Sequence, residues 1–248
     1  SKSLGLGFTS FVANTTKLSA AWAQNAGQRG VWSANVQYLS YGKMKETDDI
    51  GTEIGDISAS DVSVQGSFAY LLSDRISGGV TAKFITSYIG DYSSIGVGVD
   101  LGLNYYNVDM DLSVSFVAKN LGGQVKAYDD TYEKMPIDIQ LGATKRLSHT
   151  PFRFSLTAVD LNHWNYKFIN HFVIGADIII TPNIWVGGGY NLRRANDMQI
   201  SGLEDKSNHG AGLSFGAGLN LERFKVNVSY GKYHVSSSSI LIGVAYAI

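Results

Sequence analysis

The sequence predicts an all-β fold, a 14-stranded antiparallel transmembrane β-barrel. Three observations carry that expectation. Apolar residues alternate with small or polar ones, connections alternate between short and long, and aromatic residues sort towards the two ends of the strands. The alternation is plainest at the C-terminus. Ile240, Ile242, Val244, Tyr246 and Ile248 share one face, and Gly243, Ala245 and Ala247 share the other, with Leu241 the one large residue among them. Side chains alternate across a strand with period two, so such a segment has one greasy face and one nearly bare. Hydrocarbon outside and a tight or wet lumen inside match it. An open sheet cannot lie in lipid, because its edge amides would be unpaired, so the sheet must close on itself.

Alternation and turn residues place strands near 4–12, 16–24, 30–44, 59–72, 75–89, 94–105, 110–119, 136–147, 152–162, 169–180, 184–194, 210–221, 224–233 and 238–248. Leu213, Phe215, Ala217 and Leu219 oppose Ser214, Gly216, Gly218 and Asn220; Val97, Val99, Leu101 and Leu103 oppose Gly98, Asp100, Gly102 and Asn104. Connections after even-numbered strands are short, such as Ser73-Asp74, Ser148-His149-Thr150, Thr181-Pro182-Asn183 and Glu222-Arg223. Three connections after odd-numbered strands are long, at 45–58, 120–135 and 195–209. Spanning barrels have short periplasmic turns on one rim and long extracellular loops on the other, and a miscount by one strand would scatter the long loops. Trp32, Tyr70, Tyr105, Phe152 and Tyr246 fall outward near the short-turn rim. Tyr38, Tyr88, Tyr190 and Tyr230 fall outward near the long-loop rim, as two interfacial girdles require.

Composition narrows the classes further. The 248 residues suit one large β domain, taken as residues 1–248, with no linker or low-complexity stretch. Glycine supplies 28 of them, above the usual share of about 7%. Only 17% are charged, against about 25% in ordinary soluble domains. No apolar run is long enough for a spanning helix. A net charge of −1 without a basic block argues against nucleic acid. Cysteine is absent, so there are no disulfides, thiolate metal sites or cysteine nucleophiles. No signal peptide is visible at Ser1, and the expectation is that the mature chain starts upstream of it.

Catalytic signatures are not found, and neither an enzyme nor a cofactor is expected. His149, His163, His171, His209 and His234 show no metal-ligand spacing and read as solvated or interfacial imidazoles. Gly187-Gly188-Gly189 lies in a strand, with no following helix to cradle a phosphate, so it reads as a close backbone approach. No G-x-S-x-G elbow occurs. Inward charges at Lys83, Asp100, Lys119, Asp138, Arg146, Arg153, Asp177 and Lys225 carry both signs and read as a mutually compensating lumen network. The long loops are acidic, with Glu46, Asp48, Asp49, Glu53 and Asp56 in the first and Asp197, Glu204 and Asp205 in the third. In the second, Tyr128, Asp129, Asp130 and Tyr132 are the best candidates for contact with a partner, since exposed tyrosine is enriched at interfaces.

Part of the chain resembles a known group. The stretch from Phe116-Val117-Ala118-Lys119-Asn120-Leu121-Gly122 to Lys126 is similar to a strand end of the PorV/PorQ barrels. Met135-Pro136-Ile137-Asp138, Lys145-Arg146-Leu147-Ser148-His149-Thr150-Pro151-Phe152, Asn162-His163-Trp164, Gln37-Tyr38-Leu39-Ser40-Tyr41-Gly42-Lys43 and Ser58-Ala59-Ser60-Asp61-Val62 extend the likeness towards the PorQ type of the Bacteroidetes type IX secretion system. These are 14-stranded barrels related to the FadL long-chain fatty-acid transporters. The likeness covers roughly residues 30–165; the family's N-terminal segment with Leu-Gly-Gly and Asn-Pro-Ala regions is not in this stretch of chain, and Ile248 stands where many barrels end in Phe.

The resemblance implies a non-enzymatic outer-membrane component of the attachment complex. It would sit in outer-membrane lipid and lipopolysaccharide and hold a surface protein of the PorZ kind, alongside PorU and PorV. The alternative is a FadL-like outer-membrane transporter of small hydrophobic molecules. A passive pore and a soluble β-sandwich are the remaining readings, separated by whether the large apolar residues face lipid or pack on one another.

Overall fold

The computed structural model of the chain describes residues 1–248 apart from 49, 130, 199, 202–205, 208, 235 and 236. Fourteen strands form one closed antiparallel barrel in sequence order, with the last strand pairing with the first. They are β1 (Lys2–Ser10), β2 (Thr16–Ala26), β3 (Gly30–Thr47), β4 (Glu53–Leu71), β5 (Ile76–Ile89), β6 (Tyr92–Asn107), β7 (Leu112–Lys126), β8 (Asp138–Arg146), β9 (Phe152–Ala158), β10 (Phe172–Thr181) and β11 (Ile184–Asn191). After helix α1 (Leu192–Asp197) and a two-stranded hairpin, β12 (Ile200–Ser201) and β13 (Lys206–Ser207), come β14 (Leu213–Asn220), β15 (Phe224–His234) and β16 (Ser237–Ala247). Closure runs from Ser3 opposite Ala247 to Ser10 opposite Ile240, which leaves no unpaired sheet edge.

The alternation decides which face looks outward. Leu6, Phe8, Leu18, Trp32, Phe84, Phe154 and Phe215 are all exposed, whereas the buried hydrophobic residues among those described are only Ala59, Ala195 and Ala211. A soluble sandwich would bury its large apolar groups. Here they form a continuous outer belt, which only hydrocarbon can solvate favourably. Aromatic pairs mark the short-turn rim: Trp32 lies 4.4 Å from Phe68 and Phe224 lies 4.8 Å from Tyr246. Tyr38, Tyr88 and Tyr230 stand exposed near the other rim.

The long-loop rim departs from expectation in four places. Residues 45–58 are mostly not a loop: β3 runs on to Thr47 and β4 starts at Glu53. The Asp48 carboxylate accepts from the amides of Ile50 and Thr52, Gly51 takes φ +83, and Lys45 bridges Glu53 and Asp56. Charge on a strand is excluded only where lipid touches it, and this hairpin extends past the Tyr38 girdle. The expected loop 120–135 loses 120–126 to β7 for the same reason. Conversely, β9 stops at Ala158 and β10 starts at Phe172, so 159–171 is a long connection where a strand was expected to run on to 162. Asp160 there adopts φ +59, a left-handed conformation incompatible with a continued strand. Finally, β11 ends at Asn191, whose side chain caps α1 through the amide of Arg194 at 2.9 Å.

Candidate functional site: the lumen and its long-loop mouth

The inward faces of the strands define the lumen, and register sorts them without ambiguity. Arg153 lies opposite Asp177, Asp177 opposite Gly187, Gly187 opposite Gly216, Gly216 opposite Ser229 and Ser229 opposite Leu241. The wall is therefore mostly Gly, Ser, Thr and Asn, interrupted by charges and a few large apolar groups. Leu39, Ile85, Val117, Ile179, Trp185 and Leu241 all fall on this inward set.

The charges compensate one another as far as they are brought together. Lys83 Nζ meets Asp100 at 2.6 Å, with side chains only 11% and 18% exposed. Lys83 also donates to Asn120 Oδ1 at 2.9 Å, and the Asn120 amide donates to Asp100 at 2.8 Å. Asn120 takes φ +60 at a bulge where the β6–β7 register shifts between Val99 and Leu101. The Asp100 carboxylate thus satisfies the backbone amide that the bulge releases. Arg153 and Asp177 pair at 2.8 Å. Asp138 accepts from Gln140 and from the Asp160 amide, and Lys119 stands opposite it in the register. Arg146 and Lys225 lie on the same strand faces near the short-turn rim and join neither ion pair.

Glycines on the inward face are where larger groups lie flat. A Cβ at Gly187 would overlap the Asp177 carboxylate, and one at Gly218 would overlap the Trp185 indole. The run at 187–189 is therefore a close approach, as its strand setting implies. Trp185 reclines across the Gly216–Gly218 wall with the Arg153 guanidinium 5.9 Å from its ring. Met135, from the 127–137 connection, rests in the same way against Gly96 and Gly98.

At the long-loop mouth three segments converge on a pocket of about 680 Å3: the junction of β7 and β8, the 159–171 connection, and α1. The connection is fastened to β8 as a surrogate strand. The Leu161 amide donates to Ile139 O at 2.9 Å, Asn162 Oδ1 accepts from the Ile139 amide at 3.0 Å, and Asn162 Nδ2 donates to Ile137 O at 2.8 Å. Arg193 closes the other side. Its guanidinium pairs with Asp160, donates to the Tyr166 hydroxyl at 2.7 Å, lies 4.0 Å from the Tyr166 ring centre and reaches Asp197 at 3.4 Å. The carboxylate and phenol contacts hold Arg193 above the usual arginine range against the opposing effect of burial. Arg194 stacks over Tyr233 at 3.9 Å, tying α1 to β15.

Of the sequence-derived contact residues, Tyr132 is fully on the surface, Asp129 is exposed and Tyr128 is half-buried. Asp130 lies outside the described residues, as do Asp49, Glu204 and Asp205. Tyr128 sits near Tyr41, above the girdle. Burial, a 2.7 Å hydrogen bond to Asp61 and the nearby Tyr128 push the Tyr41 phenol up to about 12. One histidine reverses its expectation: His171 is 2% exposed, its Nδ1 2.8 Å from Val159 O and its ring beside Trp164 and Tyr166. The sequence undercounted the mouth, missing Asp160, Tyr166 and Arg193. Their one visible signal is the break in alternation after Ala158, where Asp160-Leu161-Asn162 interrupts the pattern.

No family model matches the chain, and no curated protein matches it in sequence. Solved structures do. The Pseudomonas putida toluene transporter TodX superposes with a TM-score of 0.63 at 10% identity over 99% of this chain and 88% of that one. The CymD monoaromatic hydrocarbon channel gives 0.60 at 13% over 99% and 87%, and a Pseudomonas aeruginosa FadL homologue gives 0.52 at 9% over 99% and 88%. The chain therefore has the FadL-like outer-membrane barrel fold.

Proposed function

We propose that this protein is an outer-membrane conduit for small hydrophobic molecules, with its long loops outside the cell and its short turns in the periplasm. The observation that carries this reading is the inward face itself. Four of its charges pair off, Lys83 with Asp100 and Arg153 with Asp177, while Trp185, Ile85, Ile179 and Leu241 offer apolar surface along the wall. A water-filled porin is lined by polar groups; this wall is also rich in Gly, Ser, Thr and Asn but adds paired charges and patches that an aromatic or aliphatic solute can wet. The likeness to a toluene transporter and a hydrocarbon channel supports the same reading. The role is binding and passage, not catalysis. The test is uptake of labelled toluene and of a labelled fatty acid by cells lacking their own barrels of this fold. Expression should raise the uptake rate, and Trp185→Ala should alter it. Uptake equal to that of empty cells defeats the proposal.

The anchoring role remains a second proposal, supported by the PorV/PorQ-like stretches and by the exposed Tyr132 beside Asp129. In it, Tyr128, Asp129, Asp130 and Tyr132 contact a surface protein of the PorZ kind, with PorU, PorV and lipopolysaccharide nearby. Shortening the 127–137 connection should abolish capture of that partner while leaving the barrel heat-stable. Undiminished capture counts against it.

A further inference from the structure

The 159–171 connection has two faces. Asp160, His163 and Tyr166 line the mouth pocket. The opposite edge carries Trp164, Phe168 and Ile169, exposed by 60%, 65% and 56%. The Trp164 and Phe168 rings pack on one another, and Phe168 rests on the outer face of β10. Phe168 meets Phe172 edge-on at 5.1 Å, and Trp164 lies parallel to Phe168 at 6.4 Å. Phe172 opens β10, in register with Ala158 and through it with Leu141, an exposed outer residue. The same outer column continues down β10 as Ile174, Ile178 and Ile180, all exposed. The aromatic edge is thus continuous with the hydrocarbon-facing surface.

Strand length fixes the level at which it stands. A tilted strand needs about 9–11 residues to cross the hydrocarbon. β9, which leads into the connection, has 7 residues and β10, which leads out of it, has 10, so the connection between them lies at the bilayer boundary. Trp and other aromatics favour that boundary, and Lys167, the one formal charge between Trp164 and Ile169, is a side chain that can extend its ammonium to water while its stem stays in lipid.

We propose that Trp164, Phe168 and Ile169 form a membrane-interface anchor, immersed in the leaflet on the long-loop side, which holds the 159–171 side of the mouth pocket in place. The proposal requires a spanning barrel and does not depend on what passes through it.

The absence of cysteine makes the test direct. Phe168→Cys carries a nitroxide label in phosphatidylcholine bilayers, and relaxation by oxygen is compared with relaxation by a water-soluble nickel chelate. Ile174→Cys is the lipid-facing reference. Ile50→Cys, at an 86% exposed hairpin tip, is the aqueous one. The expected result is oxygen relaxation at 168 close to that at 174, with nearly complete loss of relaxation by the chelate. Chelate relaxation as strong as at 50 overturns the proposal. So does protection from both reagents, which would mean a second copy or another protein covers the edge. Heat-modifiable migration checks folding, and Ile169→Cys repeats the measurement if the first variant disturbs the loop.

Discussion

Between β3 and β7 the strands are 14 to 19 residues long; from β8 to β11 they are 7 to 10. Both flanks cross the same bilayer, so the surplus on the first must stand in water. There the backbone keeps its ladder as far as Thr47 opposite Glu53. On the second flank the ladder stops at the boundary, and the chain instead forms the 159–171 connection and α1. The difference teaches where a binding mouth can be built. A tall paired wall satisfies its own amides and has little left to offer. A low wall frees backbone and side chains, which here converge as Asn162, Asp160, Tyr166 and Arg193.

The largest effect should come from forcing bulk into the tall wall. A Cβ at Gly122 would overlap the Val97 carbonyl and the Gly98 Cα, both backbone. Gly122→Val should therefore cost more than about 4 kcal/mol and abolish the heat-modifiable barrel. Gly66→Ala, with nothing within 4 Å, should stay within about 0.5 kcal/mol. An unharmed Gly122→Val barrel would show that β6 and β7 are free to part there.

Next in size is Lys83→Met, which leaves the poorly exposed Asp100 without its cation. A loss of about 3 kcal/mol is expected in urea unfolding from micelles, with partial recovery in Lys83→Met/Asp100→Asn. On the low flank, Arg193→Ala should speed amide exchange in 159–171 while changing global stability by no more than about 1 kcal/mol, because the ladder does not depend on it. Arg193→Lys should not restore protection, since it lacks the planar fork that stacks on Tyr166. Lys45→Ala removes ion pairs whose partners are largely exposed and should cost at most about 0.5 kcal/mol.

The smallest signal is spectroscopic. Tyr41 has a folded pKa of about 12 against 10.0 for the ordinary phenol. A raised folded pKa means that its contribution to stability is full below pH 10 and is lost as pH climbs towards 12. Absorbance titration at high pH should show a late tyrosine that Asp61→Asn brings earlier. No late tyrosine in the native barrel would remove the Tyr41–Asp61 contact from the tall wall.

Much of the barrel was legible because lipid enforces period two. Wherever hydrocarbon touches one face, as along Ile240 to Tyr246, an apolar side chain must recur at every second residue, and strand count, facing and rim asymmetry follow. Lumen pairs were legible only as candidates. Lys83, Asp100, Arg153 and Asp177 could be placed inward from alternation, but which meets which depends on register. Outside the lipid zone the constraint lapses. The charge-bearing segments 45–47 and 53–58 looked like loop and are ladder, while 159–162 looked like strand and are not.

By itself, then, the sequence determined that the chain is a closed β-barrel, which residues face the bilayer and which rim bears the long loops, because each rests on local alternation against a uniform solvent. Tertiary structure alone decided the mouth. Arg193 meets Tyr166 and Asp160 across 27 and 33 residues, and His171 is buried by rings from its own loop only once that loop has folded. Contacts at such separation are set by barrel curvature and unequal strand lengths, and no local pattern records either.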